Sequence, residues 1–248
     1  MTENVFSLEG KSILITGASS GIGKSIAILC SKMGADVYIT ARNEQRLQDT
    51  ITEMPGQAKH YIVADLTNQS SIETLSDELP KLDGVVNCAG VGSNVVAKNV
   101  NQEEIDRIFK PNFDAPVLLQ TALLSKKKIN KGASVVFIAS MAASSPTIGN
   151  GLYSASKGAL ISYAKCLGLE LAPRKIRVNC ISPAMVWTNF VKIDGLDEEM
   201  LKEDEKRYPL GRYGQPEDVA GLAAYLLSDQ SVWMTNNNIE ITGGVKGL

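Results

Sequence analysis

The chain has 248 residues, a formal net charge of −2, and hydrophobic and charged fractions of 44% and 21%, ordinary values for a globular protein. This length allows one well-buried α/β domain, and the near-neutral charge gives no electrostatic footprint for nucleic acid. No apolar run is long enough to span a membrane, and the first residues lack the basic and apolar regions of a secretion signal. We therefore expect a single domain over residues 1–248, located in the cytoplasm.

Short apolar or β-branched runs recur along the chain at intervals that leave room for a helix between them. These runs predict strands at 13–16, 37–40, 60–63, 84–87, 135–139, 178–181 and 239–241. The segments between them predict helices at 21–32, 44–53, 69–79, 103–127, 152–171 and 216–227, the fourth of which Pro111 and Pro116 should bend or interrupt. This alternation favours a doubly wound (Rossmann) α/β domain, in which helices cover both faces of a parallel seven-stranded sheet.

One long segment, residues 184–214, falls outside this alternation. Its helix-forming and charged residues predict a short helical lid over a substrate site, because loops of this length in compact domains are usually functional. A solvated surface insertion is the alternative interpretation.

Three glycines, Gly17, Gly21 and Gly23, lie in the turn that joins the first predicted strand to the first helix. Because glycine has no Cβ, such a turn lets the backbone approach a pyrophosphate, and the helix N-terminus directs N–H groups at it. The position of the cluster within the first βαβ unit predicts a dinucleotide-binding site.

The end of the second strand indicates which dinucleotide is bound. NAD-selective domains carry an acidic residue about 20 positions after the glycine turn, whereas here Arg42 lies nineteen positions after Gly23. An arginine can pair bidentately with a 2′-phosphate, which predicts NADP(H). Alternatively, Arg42 lies on the surface and Glu44 neutralises it. Asp65, at the end of the third strand, could bind the adenine or form a local turn.

Tyr153 and Lys157 lie four residues apart in a predicted helix and therefore share one face, with Ser140 thirteen residues earlier. Such a pair is usually structural, but here it occurs in a chain with a predicted nucleotide site. The four cysteines have no CxxC spacing, and the only histidine, His60, fits an ordinary strand-edge residue. We therefore expect no metal site and no Ser-His-Asp triad, and redox chemistry would require an organic cofactor.

Several motifs occur together in a fixed order: 16–23, Asn87-Cys88-Ala89-Gly90, Asn112, Ser140, Tyr153-x-x-x-Lys157, and Asn179-Cys-Ile-Ser-Pro183 with Thr188. With these motifs the sequence resembles the short-chain dehydrogenase/reductase family over essentially its whole length. Within the family it is most similar to the 3-oxoacyl-acyl-carrier-protein reductases.

The resemblance implies a catalytic tetrad of Asn112, Ser140, Tyr153 and Lys157. Tyr153 would protonate the substrate carbonyl oxygen, and Lys157 together with the oxidised nicotinamide would lower the pKa of its phenol. Lys157 would also hold the nicotinamide ribose, Ser140 would polarise the carbonyl, and Asn112 would support a water relay. Purely structural roles for Ser140 and Asn112 are the alternative.

The residues assigned to NADP(H) are Gly17, Ser19, Ser20, Gly21, Ile22, Gly23, Arg42, Asp65, Leu66, Asn87, Ala89, Gly90, Tyr153, Lys157, Pro183, Val186 and Thr188. The chain departs from the family pattern at three places. Cys88 replaces an asparagine, Ala184 replaces a glycine near the nicotinamide, and Ile241-Thr242-Gly243-Gly244 stands where relatives often carry Asp-Gly-Gly.

The resemblance implies NADP(H)-dependent reduction of a carbonyl to a hydroxyl, most nearly that of a 3-oxoacyl thioester. Hydroxysteroid, sugar or polyol dehydrogenation is the alternative within the family. A non-catalytic dinucleotide sensor is the alternative of another class, which the presence of both Tyr153 and Lys157 disfavours. Met185, Trp187 and Phe190 could form an apolar substrate wall.

An acidic acyl carrier protein would require a basic docking surface. The candidates are Lys126, Lys127, Lys128, Lys131, Arg174 and Lys175, although charge runs are usually solvated faces. The resemblance also implies a homotetramer joined through the helices predicted near 101–130 and 152–172 and through the C-terminal strand.

Overall fold

A computed structural model describes residues 5–188 and 198–245, except for the side chain of residue 198. Its strands are β1 (Ser12–Thr16), β2 (Asp36–Ala41), β3 (Lys59–Val63), β4 (Leu82–Asn87), β5 (Ile129–Ile138), β6 (Arg177–Pro183) and β7 (Asn238–Ile241). Its α-helices are α1 (Gly21–Lys32), α2 (Glu44–Glu53), α3 (Gln69–Glu78), α4 (Gln102–Phe109), α5 (Ala115–Ser125), α6 (Gly151–Leu171), α7 (Glu198–Glu205) and α8 (Pro216–Leu227).

All of these strands pair in parallel in one sheet, in the order β3-β2-β1-β4-β5-β6-β7. This confirms the predicted doubly wound α/β fold. The strand order reverses between β1 and β4, and open α/β sheets bind ligands outside the carboxyl ends of the strands at such a point. The topology therefore predicts where the site lies before any side chain is considered.

Two apolar cores cover the two faces of the sheet. Leu14 and Val85 face one core, which packs under α3, α5 and α6, whereas their neighbours Ile13 and Val86 face the other core, under α1, α2 and α8. Successive side chains of a strand point to opposite faces, so strands that are covered on both sides must be apolar throughout. Burial on both faces of the sheet therefore explains the continuous apolar runs in the sequence.

Strand β5 is longer than predicted because its first half is irregular. Leu82 of β4 pairs with Ile129 of β5, and Gly84 pairs with Ser134, so an advance of two residues along β4 corresponds to five residues along β5. Gly132 lies in this stretch with φ +82°, a conformation that favours glycine. Because this irregular segment contains polar residues and a glycine, it lacks the apolar run from which a strand is predicted.

The predicted helix 103–127 is interrupted as expected. Helices α4 and α5 are joined by a π-helical turn, Lys110–Asp114, in which the N–H of Ala115 bonds to the carbonyl of Lys110. Pro111 lies within this turn and has no N–H to donate. Pro116 lies in the first turn of α5, where a missing N–H costs little.

Helix α7 lies within the predicted lid segment 184–214. Residues 189–197, including Phe190, lie outside the described residues, so the covering role of this segment stays a prediction. His60 lies on the edge strand β3, with its ring stacked on Tyr38 at 4.5 Å and its Nε2 3.1 Å from Asp36. This placement agrees with the interpretation of His60 as a strand-edge residue.

Candidate active site

A cavity of about 1100 Å³ opens at the carboxyl ends of β1 to β6. The residues predicted to bind cofactor that line it are Gly17, Ser19, Ser20, Gly21, Ile22, Gly23, Arg42, Asp65, Leu66, Ala89, Gly90, Tyr153, Lys157, Pro183, Val186 and Thr188. Ser140 also lines the cavity, whereas Asn87 and Asn112 lie behind its wall. The fold thus brings segments from six strand ends to one site.

The glycine turn after β1 is packed too closely to accept side chains. A Cβ at Gly17 would lie 2.8 Å from the backbone nitrogen of Ala89, and a Cβ at Gly23 would lie 2.5 Å from the carbonyl oxygen of Gly17. Gly17 also has φ +67°, which favours glycine. The turn therefore presents bare backbone to the cavity, as the binding of a dinucleotide requires.

The N-terminus of α1 is open to an anion. Its N-cap residue, Ser20, makes no side-chain capping hydrogen bond, and the first turn contains no acidic residue. The first N–H groups of a helix lack partners within the helix, and the helix dipole makes this end positive. With Ser20 on the cavity wall, the chain fits a pyrophosphate at this position.

Two arginines line the end of the cavity formed by β2 and β3, Arg42 after β2 and Arg46 in the first turn of α2. Arg46 was not predicted from the sequence, and the available signal was its position in the first turn of the helix that follows Arg42. Asp65 lines the same region, and its Oδ1 accepts hydrogen bonds from the N–H and hydroxyl of Thr67 at 3.0 and 2.7 Å. These bonds, with a smaller contribution from Arg42, hold the pKa of Asp65 below its usual value. Asp65 thus forms the local turn considered above.

Asn87 supports the floor of the cavity instead of lining it. It is only 4% exposed, and its Oδ1 accepts a hydrogen bond from Nε2 of Gln120 at 3.3 Å. The next two residues, Cys88 and Ala89, follow the carboxyl end of β4. Their N–H groups donate hydrogen bonds to the hydroxyl of Thr16 at 3.0 and 3.1 Å. Because Gln120 belongs to α5, the side chain of Asn87 points toward the helix that covers this face of the sheet.

Three members of the predicted tetrad lie on one wall of the cavity. Ser140 follows β5, and Tyr153 and Lys157 lie one turn apart near the start of α6. The side chains of Ser140 and Tyr153 are hydrogen-bonded to each other. The Nζ atom of Lys157 donates to the carbonyl oxygen of Ile138 at 2.8 Å and lies 5.8 Å from the centre of the Tyr153 ring.

Burial dominates the ionisation of both groups. It lowers the pKa of Lys157, which is 4% exposed, to about 8. It also raises the pKa of Tyr153, and the hydrogen bond from Ser140 offsets part of this increase. In the protein alone, the pKa of the phenol therefore shifts in the direction opposite to the expected lowering, because desolvation of the tyrosinate outweighs the hydrogen bond from Ser140.

The fourth member, Asn112, is fully buried in the π-helical turn. Its Oδ1 accepts from the N–H of Val91 at 2.8 Å, and its Nδ2 donates to the carbonyl of Val91 at 2.9 Å and to the Ser156 hydroxyl at 3.1 Å. A Cβ at Gly90 would lie 2.9 Å from Asn112 Oδ1, so a side chain there would displace the Asn112 amide. The amide thus ties the loop after β4 to α6, and the water relay stays a prediction.

Two departures from the family pattern, Cys88 and Ala184, lie in the cavity lining. Burial raises the pKa of the Cys88 thiol to about 12, with a partial opposing effect of Lys157, so this residue stays neutral at the cavity wall. The N–H of Ala184 donates to the carbonyl of Ile241 at 2.9 Å and extends the pairing of β6 with β7. Ala184 has no positive φ, so its Cβ imposes no backbone strain.

The predicted apolar substrate wall is only partly present. Met141 and Met185 line the cavity together with Ile148, whose side chain is 92% exposed. Trp187 does not line it, because its ring packs 5.3 Å from Tyr213 and its indole N–H donates to Glu205. The interpretation of Trp187 as a wall residue was therefore wrong.

The basic residues considered for carrier docking lie at the opposite end of the sheet. They precede or begin β5 and β6, whereas the cavity opens where these strands end. Lys126 pairs with Asp77 at 2.6 Å, and Lys128 donates to carbonyls at the end of α3. Arg174 donates to the carbonyl of Ile129. These contacts favour a structural role for Lys126, Lys128 and Arg174.

The fold and the cavity define a class of protein, the oxidoreductases that bind a dinucleotide on a doubly wound sheet. The family described as "Enoyl-(Acyl carrier protein) reductase" matches residues 17–246. A 3-oxoacyl-[acyl-carrier-protein] reductase of Rickettsia felis is 34% identical over 238 residues, which cover 96% of this chain and 98% of that protein.

Two further relatives agree with this match. The human dehydrogenase/reductase SDR family member 4 is 30% identical, with coverage of 96% of this chain and 88% of that protein. A dehydrogenase/reductase of Sinorhizobium meliloti 1021 has a TM-score of 0.89 and 31% identity, and the alignment covers 97% of this chain and 96% of the solved one. The chain belongs to the short-chain dehydrogenase/reductase family. No helix within residues 5–188 and 198–245 has the length and apolar character needed to cross a membrane.

Proposed function

We propose that the protein is an NADP(H)-dependent reductase that converts a carbonyl group to a hydroxyl. The main support is the position of Ser140, Tyr153 and Lys157 on one wall of the cavity that the glycine turn also lines. Bound NADPH would supply the hydride. The remaining requirements, which are orientation of the carbonyl and delivery of a proton, fall on side chains of this chain.

Tyr153 is the proton donor in this proposal. Its hydroxyl is hydrogen-bonded to Ser140, so a carbonyl oxygen at this position could be held by both groups while negative charge develops on it. Lys157, fixed by the Ile138 carbonyl, supplies positive charge that favours the tyrosinate left after proton transfer. Asn112 contributes by holding the loop after β4 against α6.

The preference for NADP(H) over NAD(H) is supported by Arg42 and Arg46. Both line the end of the cavity where a 2′-phosphate would lie, and arginine binds phosphate through paired N–H groups. Steady-state measurement of kcat/KM for NADPH and NADH tests this preference. We expect NADPH to be favoured by roughly 10- to 100-fold, and an equal or higher value for NADH would contradict it.

For the substrate we propose a 3-oxoacyl thioester. The name of the Rickettsia relative supports this class, and Met141, Met185 and the exposed Ile148 provide an apolar path for an acyl chain. NADPH oxidation should be followed with acetoacetyl thioesters, keto-steroids and keto-sugars at matched concentrations. Faster turnover of a steroid or sugar would replace the thioester by the alternative substrate class.

Delivery of the acyl group by a carrier protein can be tested at Lys131 and Lys175. These residues lie at the amino ends of the strands, at the end of the sheet opposite the cavity. We expect Lys131→Glu with Lys175→Glu to slow the turnover of an acyl-carrier substrate and to leave that of a free thioester unchanged. Equal rates with the acyl-carrier substrate would remove the docking role.

A further inference from the structure

A satellite apolar cluster lies beside the site and is separate from the two main cores. Its buried members are Met141, Leu201, Tyr208, Tyr213 and Val245, and Ala184, Met185 and Trp187 pack against them. Met141 follows Ser140, and Met185 follows the end of β6. The cluster therefore connects α7, which supplies Leu201, to two segments of the cavity wall.

Glu205, at the end of α7, is the polar centre of this cluster. Its Oε1 accepts one hydrogen bond from the indole N–H of Trp187 at 2.7 Å and another from the N–H of Tyr213 at 2.9 Å. The adjacent Asp204 accepts from the Tyr213 hydroxyl at 2.7 Å. Hydrogen bonds to an ionised acceptor are stronger than neutral ones, so these contacts fix α7 to the segment around Trp187.

Trp187 directly precedes a residue that contacts the glycine turn. A Cβ at Gly21 would lie 3.0 Å from Cγ2 of Thr188, so these two residues are in close contact. The backbone N–H of Trp187 donates to the carbonyl of Gly214 at 2.8 Å. A displacement of Trp187 would therefore be transmitted through one peptide unit to Thr188.

We propose that Glu205 is a positioning residue for the cofactor site. It holds Trp187 in place, and Trp187 in turn keeps Thr188 against the turn between β1 and α1. Glu205 itself does not line the cavity, so its effect on the cofactor site passes through Trp187. The inference rests on the proposed function, because it assigns the effect to the binding of NADP(H).

The chain offers a clean optical probe of this contact. It has two tryptophans, and Trp233 is 97% exposed, so Trp233→Phe leaves Trp187 as the sole indole. In this background, Glu205→Ala should shift the emission of Trp187 to longer wavelength, because water would take the place of the carboxylate beside the indole.

Binding and kinetics test the consequence for the cofactor. With Glu205→Ala we expect the Kd and KM for NADPH to rise about tenfold, while kcat at saturation changes less than about twofold. Glu205→Gln, which keeps a carbonyl oxygen for both donors, should restore values close to the parent. The matched control is Glu203→Ala on the same helix, since Glu203 is exposed and contacts Lys206. It should change neither emission nor affinity.

Several outcomes would overturn the proposal. Unchanged emission would show that Glu205 does not hold Trp187, and shifted emission with unchanged Kd would show that Trp187 does not position the cofactor residues. If Glu205→Ala fails to fold by circular dichroism, Trp187→Phe removes the same donor, and an unchanged Kd in that variant would be equally decisive. If the parent protein binds NADPH but reduces no carbonyl, the proposed function is contradicted and the role of Glu205 is not. The emission of Trp187 and the Kd for NADPH still test that role.

Discussion

At the scale of single residues, the site shows burial and hydrogen bonding in competition. Lys157 loses most of its hydration and keeps one hydrogen bond, to the Ile138 carbonyl. Tyr153 loses hydration as well and keeps its bond to Ser140. Burial lowers the pKa of Lys157 and raises the pKa of Tyr153, and each shift favours the neutral form of its group. Desolvation therefore opposes the charged forms that assist proton transfer.

The role of Tyr153 predicts the effect of removing one hydroxyl. Tyr153→Phe should lower kcat by about 10²- to 10⁴-fold, because only the proton donor is lost, and calorimetry should show an unchanged Kd for NADPH. The matched control is Tyr163→Phe in the same helix, where the ring packs against Phe113 and Phe137. Substantial carbonyl reduction by Tyr153→Phe would contradict the mechanism.

The lowered pKa of Lys157 predicts a pH dependence of stability. Between its folded value of about 8 and the ordinary value of 10.5, the unfolded chain binds this proton and the folded chain does not. Raising the pH through this window therefore stabilises the folded protein, whereas below it the buried ammonium imposes its full cost. Lys157→Met should thus stabilise the protein without cofactor at pH 7 by roughly 1–3 kcal/mol.

This advantage should shrink as the pH rises toward 10. Urea unfolding of the parent and of Lys157→Met at pH 7 and pH 10 measures the difference in the free energy of unfolding. An advantage that stays constant between the two pH values would mean that Lys157 does not titrate as described.

The two arginines predict a selective loss of one cofactor. Arg42→Ala should reduce kcat/KM for NADPH by roughly 10- to 100-fold and change the value for NADH by less than about threefold, because NADH lacks the 2′-phosphate. Arg46→Ala should act in the same direction. Equal losses with both cofactors would assign Arg42 a structural role.

At the scale of elements, the turn between β1 and α1 is the most constrained part of the site. Gly23→Ala should lower the free energy of unfolding by about 1–3 kcal/mol and weaken NADPH binding, because its Cβ would collide with the backbone of Gly17. Gly221→Ala in α8 is the matched control. It meets no atom within 4 Å and should stabilise the protein by about 0.5–1 kcal/mol. NADPH affinity equal to the parent in Gly23→Ala would contradict the role of this turn.

The same scale shows which elements a sequence reveals. Strands that are covered on both faces can be predicted from the sequence, because their burial requires continuous apolar runs. Helix α6 also begins within one residue of its predicted start. The first half of β5 was missed because an irregular pairing around Gly132 removes the apolar pattern. The interruption at Pro111 was predictable from a missing N–H, whereas its π-helical form was not.

At the scale of the whole molecule, we propose association into a homotetramer. Leu118 on α5 and Leu169 on α6 are 42% and 70% exposed, and exposed apolar side chains on the helices predicted to associate are consistent with burial in an interface. Light scattering coupled to size exclusion should give a mass of four chains for the parent. Leu118→Asp with Leu169→Asp should reduce the mass, and Gln48→Asp on α2 should not. A monomeric parent would contradict the proposal.

The sequence by itself determined the order of strands and helices, the glycine turn, and the Tyr153–Lys157 pair, because each depends on local spacing or on the burial of a single element. Tertiary structure decided what these residues contact. It placed Asn87 and Asn112 behind the cavity wall, added Arg46 to its lining, and moved Trp187 from the substrate wall to Glu205. The physical reason is that a hydrogen bond between residues far apart in the chain leaves no pattern in the local sequence. Helix and strand periodicity and the need for glycine in a tight turn do leave such a pattern.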